Sequence, residues 1–146
     1  MTSTHSGSEP QREVLSTSWD DWPENLLQEF NDQSHNGHVG GRLLMENDQV
    51  RVWEIRLAPG ERYGAHRHVL NYLWVAVTQG ISIQHTSDGR TERVSYKSGD
   101  TMFFSYREGE YMLHDLANAG NTELVFTTVE LKASANESLS LNEKGE

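Results

Sequence analysis

His66-Arg67-His68-Val69-Leu70-Asn71-Tyr72-Leu73-Trp74-Val75 is the stretch on which the fold turns. In an extended strand, residues i and i+2 point to the same face with Cα atoms about 6.6–7 Å apart. His66 and His68 therefore present two imidazoles to one side, while Arg67 points to the other. At metal–nitrogen distances of about 2.0–2.1 Å, two such rings converge on one ion without strain. A pair is not a site, and a third ligand has to arrive from a distant part of the chain. The apolar run that follows reads as a buried strand, with Leu73, Val75 and Val77 expected on the face shared by the histidines.

Around this stretch the punctuation is that of β structure. Val50–Leu57, Ile81–His85, Arg93–Tyr96, Thr101–Phe104 and Leu124–Leu131 are short and rich in β-branched and aromatic residues. Asp88-Gly89 tolerates positive φ and suits the hairpin turn between Ile81–His85 and Arg93–Tyr96. Pro59-Gly60 and Ser98-Gly99-Asp100 mark further turns. Strands at near-regular spacing predict an all-β sandwich or barrel, and no internal repeat divides them. Upstream, Asp21-x-x-Glu24 beside Pro23 has the form of a capping box, and Leu26, Leu27 and Phe30 follow on one predicted helical face over about 22–30. Residues 1–18 and 133–146 are polar and are expected to be a flexible N-terminal arm and a C-terminal tail around a domain over 19–132.

The 146 residues suffice for one domain, which buries roughly 68–70% of the surface of its unfolded chain. Twelve Lys plus Arg against 22 Asp plus Glu give a formal charge of −10, which repels nucleic acid and anionic membrane surfaces alike. No apolar run approaches the roughly 18–20 residues of a bilayer span. The absence of cysteine excludes disulfides, thiolate zinc sites and thiol nucleophiles. Met1–Ser18 lacks the apolar stretch of a secretory signal, so the expected location is cytoplasmic, and Asn136-Glu137-Ser138 is read as a chance glycosylation match.

The seven histidines are not equivalent. His5, His35 and His38 lie in Ser-, Asn- and Gly-rich sequence and read as solvated loop residues. His85 alternates with Ile81 and Ile83 and reads as a barrel-facing histidine satisfied by a hydrogen bond. His114 stands apart, because the pattern around it pairs with the pattern around His66. Pro59-Gly60, five residues, His66-x-His68 and then Gly80 resemble the first cupin motif; Gly99-Asp100, Phe103-Phe104, His114, Asn118 and Gly120 resemble the second. The resemblance covers about residues 40–132 and is strongest to small single-domain bacterial cupins, among them those named for β-alanine degradation. It implies an all-β double-stranded β-helix (jelly-roll) barrel with a short N-terminal helix, and His66, His68 and His114 as ligands of a divalent metal ion. Iron, zinc, nickel and manganese are not distinguished by these residues.

Two departures from the cupin pattern matter. Where the first motif normally supplies a glutamate, counting back from Gly80 reaches Leu73. Where the usual spacing from Gly99 places the second histidine, this chain has Glu110, and the histidine follows four residues later. Candidates for a fourth ligand, or for contacts that orient the imidazoles, are Glu110, Asn71 and Tyr111, with Asn71 favoured as an orienting hydrogen-bond partner. Tyr63, Tyr72, Leu73, Trp74, Met102, Phe104 and Met112 are candidates to line an apolar pocket. Three neutral imidazoles leave the ion its full charge and open positions, which favours a small anionic ligand. Arg51, Arg56 and Arg62 are candidates to hold its carboxylate.

These features predict a metal-binding cupin acting on a small organic acid or similar metabolite, and the resemblance to three-histidine cupin dioxygenases suggests mononuclear iron chemistry. The other reading is a noncatalytic metabolite-binding or sensor cupin with a degenerate metal site. The edge offered by 39–57 needs protection, and a homodimer is the expected assembly.

Overall fold

A computed structural model describes residues 2–3 and 8–141. In chain order its elements are β1 (Thr2–Ser3), β2 (Gln11–Ser16), a single 3-10 turn (Trp19–Asp21), α1 (Glu24–Asp32), β3 (Arg42–Glu46), β4 (Val50–Leu57), β5 (Arg62–His68), β6 (Asn71–Ala76), β7 (Gly80–His85), β8 (Thr91–Tyr96), β9 (Thr101–Ser105), β10 (Met112–Asn118) and β11 (Leu124–Leu131). Two antiparallel sheets face each other, one in the order β1-β9-β6-β11-β4-β3 and the other β2-β8-β7-β10-β5. This is the all-β barrel expected from the strand pattern, with the jelly-roll form that the cupin resemblance implied. Among the described residues no helix is long and apolar enough to cross a membrane.

Alternation decides what the barrel holds. Along β4, Arg51, Trp53, Ile55 and Leu57 are buried while their neighbours are more open. One end of the interior is closed by Ile55, Leu57, Ala76, Val94, Tyr96, Leu116, Leu124 and Phe126. Toward the other end, Tyr72, Met102, Phe104 and Tyr106 form a second cluster. Helix α1 packs outside the barrel: Trp22, Leu26 and Phe30 cover Ala65 of β5 and Leu113 of β10. Asp88-Gly89 forms the predicted β7–β8 turn, with Gly89 at a φ of 94° that suits a residue without Cβ.

Several expectations are corrected. The stretch read as an N-terminal arm contains β2, which pairs with β8 from Gln11 to Ser16; its side chains are largely exposed, so the apolar-in pattern that marks a strand is missing. His5 lies outside the described residues, as do positions 142–146 of the expected C-terminal tail. The capping box does not form. Asp21 belongs to the 3-10 turn, where Ser18 Oγ accepts from Asp20 N at 3.1 Å, and α1 starts behind Pro23 without a side-chain cap. Leu27 is exposed, because the apolar face of α1 is only Leu26 and Phe30 wide.

The face of β6 is also the reverse of that expected. Tyr72 and Ala76 are buried, and Trp74 packs against the interior cluster, whereas Val77 is 48% exposed. The two residues Val69 and Leu70 turn the corner from β5 to β6 without changing parity. Positions 66, 68, 72, 74 and 76 therefore share the inside, and Leu73, Val75 and Val77 do not.

Candidate metal centre

His66 and His68 reach the interior from β5 and His114 from β10, where His114 pairs directly with His66. A β-bulge sets their aim. The register moves from His114↔His66 to Leu116↔Tyr63, so β5 holds one residue more than β10 at Gly64-Ala65. Both Tyr63 and His66 thereby face inward although they are three apart. The bulge carbonyl of Gly64 accepts a hydrogen bond from His66 Nδ1 at 2.8 Å.

The bulge is held from outside the barrel. Ala65 N donates to Glu29 Oε2 of α1 at 2.8 Å, and Asn36 Nδ2 donates to Ala65 O at 3.1 Å. Arg62 grips Glu29 bidentately at 2.8 and 2.7 Å and reaches the buried Asp115 at 2.9 Å. The Arg62 guanidinium holds the Glu29 carboxyl below the usual carboxylate range. Asp115 in turn accepts from the backbone N–H of His85 at 2.6 Å and pairs with its Nδ1 at 2.9 Å. His85 is thus hydrogen-bonded as expected, but on the helix side of the sheet beside Trp22, not in the barrel.

Within the barrel the three rings crowd one point. Their centroids are 5.1 Å (His66–His68), 4.6 Å (His66–His114) and 5.0 Å (His68–His114) apart, and one ring nitrogen from each lies within 4.8 Å of the others. His68 Nε2 and His114 Nε2 are 3.1 Å apart. Burial pushes the His66 ring down to about 4 and holds His68 and His114 well below the ordinary histidine range, with their mutual proximity adding to the shift. Burial thus favours the neutral form of all three rings, the form in which imidazole ligates a metal.

Hydrogen bonds choose the tautomers. Gln84 Nε2 donates to Glu92 Oε1 at 2.9 Å, which leaves Gln84 Oε1 to accept from His114 Nδ1 at 2.8 Å. His66 spends its Nδ1–H on Gly64. Both rings therefore turn a bare Nε2 inward. His68 Nδ1 is buried with no hydrogen-bond partner among the described residues, and its ring stacks on Tyr72 at 4.0 Å between centroids. Two nitrogen lone pairs 3.1 Å apart repel unless a proton or a cation lies between them. That separation falls between the values for ligands about 2.1 Å from one ion at right angles, about 3.0 Å, and at the tetrahedral angle, about 3.4 Å. The donor set fits a divalent ion.

A cavity of about 470 Å³ opens from the three histidines and is lined in part by Tyr72, Trp74, Met102, Phe104 and Met112. Tyr111 stands at its exposed rim, carrying the Arg67 guanidinium 3.8 Å above its ring. The other predicted neighbours are engaged elsewhere. Tyr63 packs on His66 but sends its hydroxyl to the carbonyls of His38 and Gly40 at 2.8 and 2.9 Å. Leu73 faces the outside of β6. Asn71 Oδ1 accepts from Tyr106 N at 2.9 Å, and so orients no imidazole. Glu110 Oε1 accepts from Arg107 N at 2.7 Å and closes its own turn. Arg51, Arg56 and Arg62 pair with Glu46, with Glu54 and Glu123, and with Glu29 and Asp115, so none lines the cavity. His38 is half-buried, its Nε2 on Leu141 O at 3.0 Å and its ring against Trp53, not solvated.

Sequence reasoning missed Gln84, Glu92 and the Gly64 bulge. Ser82, Gln84 and Glu92 alternate as buried polar residues on β7 and β8, and an interior polar stripe was the available signal. The apolar Ile81 and Ile83 drew attention to the other face.

No family model matches the chain. The chain is 33% identical over 90 residues to a β-alanine degradation protein, BauB, of Pseudomonas aeruginosa, a match spanning 62% of this chain and 90% of that one. A cupin domain from Bordetella pertussis Tohama I superposes with a TM-score of 0.54 at 31% identity over 62% of this chain and 90% of that one. An RmlC-like cupin with a double-stranded β-helix fold from Methanocaldococcus jannaschii gives a TM-score of 0.50 at 18% identity over 62% and 76%, a likeness of fold. The two matches at over 30% identity, each spanning 90% of the relative and one of them in three dimensions, agree with the paired motifs around His66 and His114: the chain belongs to the cupin family.

Proposed function

We propose that this protein binds one divalent metal ion through His66, His68 and His114 and acts there on a small organic acid or similar metabolite. The observation that carries the proposal is the preset tautomers: His66 and His114 each commit Nδ1–H to a fixed acceptor, so their Nε2 lone pairs meet beside His68. A divalent ion held there supplies Lewis acidity and open coordination positions. The chain's own groups orient and shield. Gln84 fixes the His114 ring, Tyr72 covers the face of His68, and Trp74, Met102 and Phe104 keep water from the inner wall. The relative in Pseudomonas aeruginosa is named for the breakdown of β-alanine, itself a small carboxylate, and a small acid suits a three-imidazole site with no carboxylate of its own. Oxidation of that acid by dioxygen at iron is the finer reading.

A noncatalytic metabolite-binding or sensor role is the second reading, favoured by one feature: β6 turns Tyr72, not a carboxylate, toward the histidines. Metal analysis of untagged protein separates the two. Near-stoichiometric iron or manganese in wild type, sharply reduced in His66→Ala and His114→Ala, together with oxygen consumption over small acids, thiols and diketones, supports an enzyme. Metal content unchanged in both variants overturns the site, and a loaded site that consumes no oxygen leaves the binder.

A further inference from the structure

The polar end of the cavity holds two arginines that the metal centre does not use. Arg12 lies on β2 opposite Val94, and Val14 opposite Glu92, so Arg12 shares the inner face of β8 with Glu92 and Val94. Arg90 follows the β7–β8 turn, and both arginines line the cavity. They meet on one carboxylate. Arg12 Nη1 donates to Glu92 Oε1 at 3.1 Å and Arg90 Nη1 to Glu92 Oε2 at 3.4 Å. Glu92 is buried and also takes the Gln84 Nε2–H. Its oxygens are therefore satisfied, as a buried carboxylate requires.

The arginines are not. A guanidinium carries five N–H donors, and among the described residues each of these side chains makes a single hydrogen bond, the one to Glu92. Their side chains remain 32% and 48% exposed. The other acidic residue at this end, Asp88, is occupied by its own turn, accepting from Thr86 Oγ1 at 2.5 Å and from Arg90 N at 3.2 Å. Two guanidinium charges thus share one buried carboxylate, and both side chains line the cavity with donors left over. Fork-shaped donors of this kind match a carboxylate bidentately. Because Glu92, Gln84 and His114 form an unbroken hydrogen-bond chain, the arginines stand beside the metal ligands and not on a separate surface.

We infer that Arg12 and Arg90 form the seat for the carboxylate of the bound molecule, with Arg12, delivered by the N-terminal strand, as the residue that selects an anion. The inference deepens the proposed function and rests on it for the identity of the cavity as the site. Glu92 holds the two arginines in place and passes that order through Gln84 to His114.

The test is titration calorimetry with acetate, malonate and succinate, and with malonamide as the uncharged counterpart of malonate. It is run on wild type, Arg12→Gln, Arg12→Lys and Arg90→Gln, each with its metal and after removal of metal by a chelator, so that coordination of the probe to an ion is separated from the arginines. Arg12→Gln keeps a donor for Glu92 but loses the charge, and thermal melts confirm that it folds. At least one carboxylate is expected to bind wild type, malonamide not to bind, and Arg12→Gln to weaken carboxylate binding at least tenfold both with and without metal, at unchanged metal content. Arg12→Lys should retain part of the affinity. Equal carboxylate affinity in wild type, Arg12→Gln and Arg90→Gln, or no binding of any of the three acids to wild type, overturns the inference. Loss of metal binding in wild type would instead strike the proposed function, and the metal-free titrations read the arginine seat independently of it.

Discussion

At the scale of single residues, the site depends on which nitrogen of each imidazole keeps its proton. Gln84 decides this for His114 because its amide nitrogen is committed to Glu92. Gln84→Met, close in volume but without an acceptor, should lower metal affinity by about 10–100-fold while the fold persists, measured by competition with a chromogenic chelator. Unchanged affinity would mean that His114 needs no outer partner. A second buried group acts on stability alone. Burial pushes the Glu130 carboxyl up to about 7, against the hydrogen bond it accepts from Trp53 Nε1 at 2.8 Å. The folded state therefore holds this proton more tightly than the unfolded chain. The associated stability is fully present below the ordinary carboxylate range and is lost as pH rises through about 7. Glu130→Gln keeps the acceptor and cannot ionise, so its stability relative to wild type should improve by ~1–3 kcal/mol between about pH 5 and about pH 8. Denaturant melts at the two pH values check this, and a pH-independent difference contradicts it. The histidine pair was legible in the sequence because strand periodicity needs no tertiary information. Gln84 and Glu92 were harder to single out, since alternating polar residues on a strand also mark a solvent-facing side and only the fold places these two beside His114.

At the scale of elements, helix α1 and strand β5 are joined through a bulge that no sequence motif announces. Glu29 caps the freed N–H of Ala65 and is clamped by Arg62. Glu29→Ala strips both partners, and should cost ~1–3 kcal/mol and weaken metal binding by letting the Gly64 carbonyl drift from His66. Gln28→Ala, one position earlier and bonded only to Asp32 on the exposed face, should change stability by less than ~0.5 kcal/mol. Equal effects of the two substitutions would disprove the coupling of helix to site. The sequence revealed strands whose buried side alternates clearly, such as β4 and β11, and the turn at Asp88-Gly89. It concealed β2 and β3, whose side chains are exposed on both faces, and the inward face of β6, where the expected parity was off by one. An edge strand that buries nothing carries no hydrophobic period to read.

At the scale of the whole molecule, β3 ends the larger sheet with no further strand partner among the described residues, and Leu43, Leu44 and Met45 are exposed in succession. We propose that a second copy of the chain covers it. Antiparallel pairing about Leu44 is isologous and sets the exposed Leu43 of each copy against Met45 of the other. Light scattering should give a dimer for wild type and a monomer for Leu44→Glu; a wild-type monomer contradicts the proposal.

The barrel, its bulge and its polar stripe all serve one claim, that three imidazoles share an ion. X-ray absorption at the metal edge of the loaded wild-type protein counts those imidazoles directly. Three nitrogen scatterers with imidazole outer shells are expected, falling to two in His68→Ala. One imidazole or none in wild type, or a spectrum unaltered by His68→Ala, would contradict it.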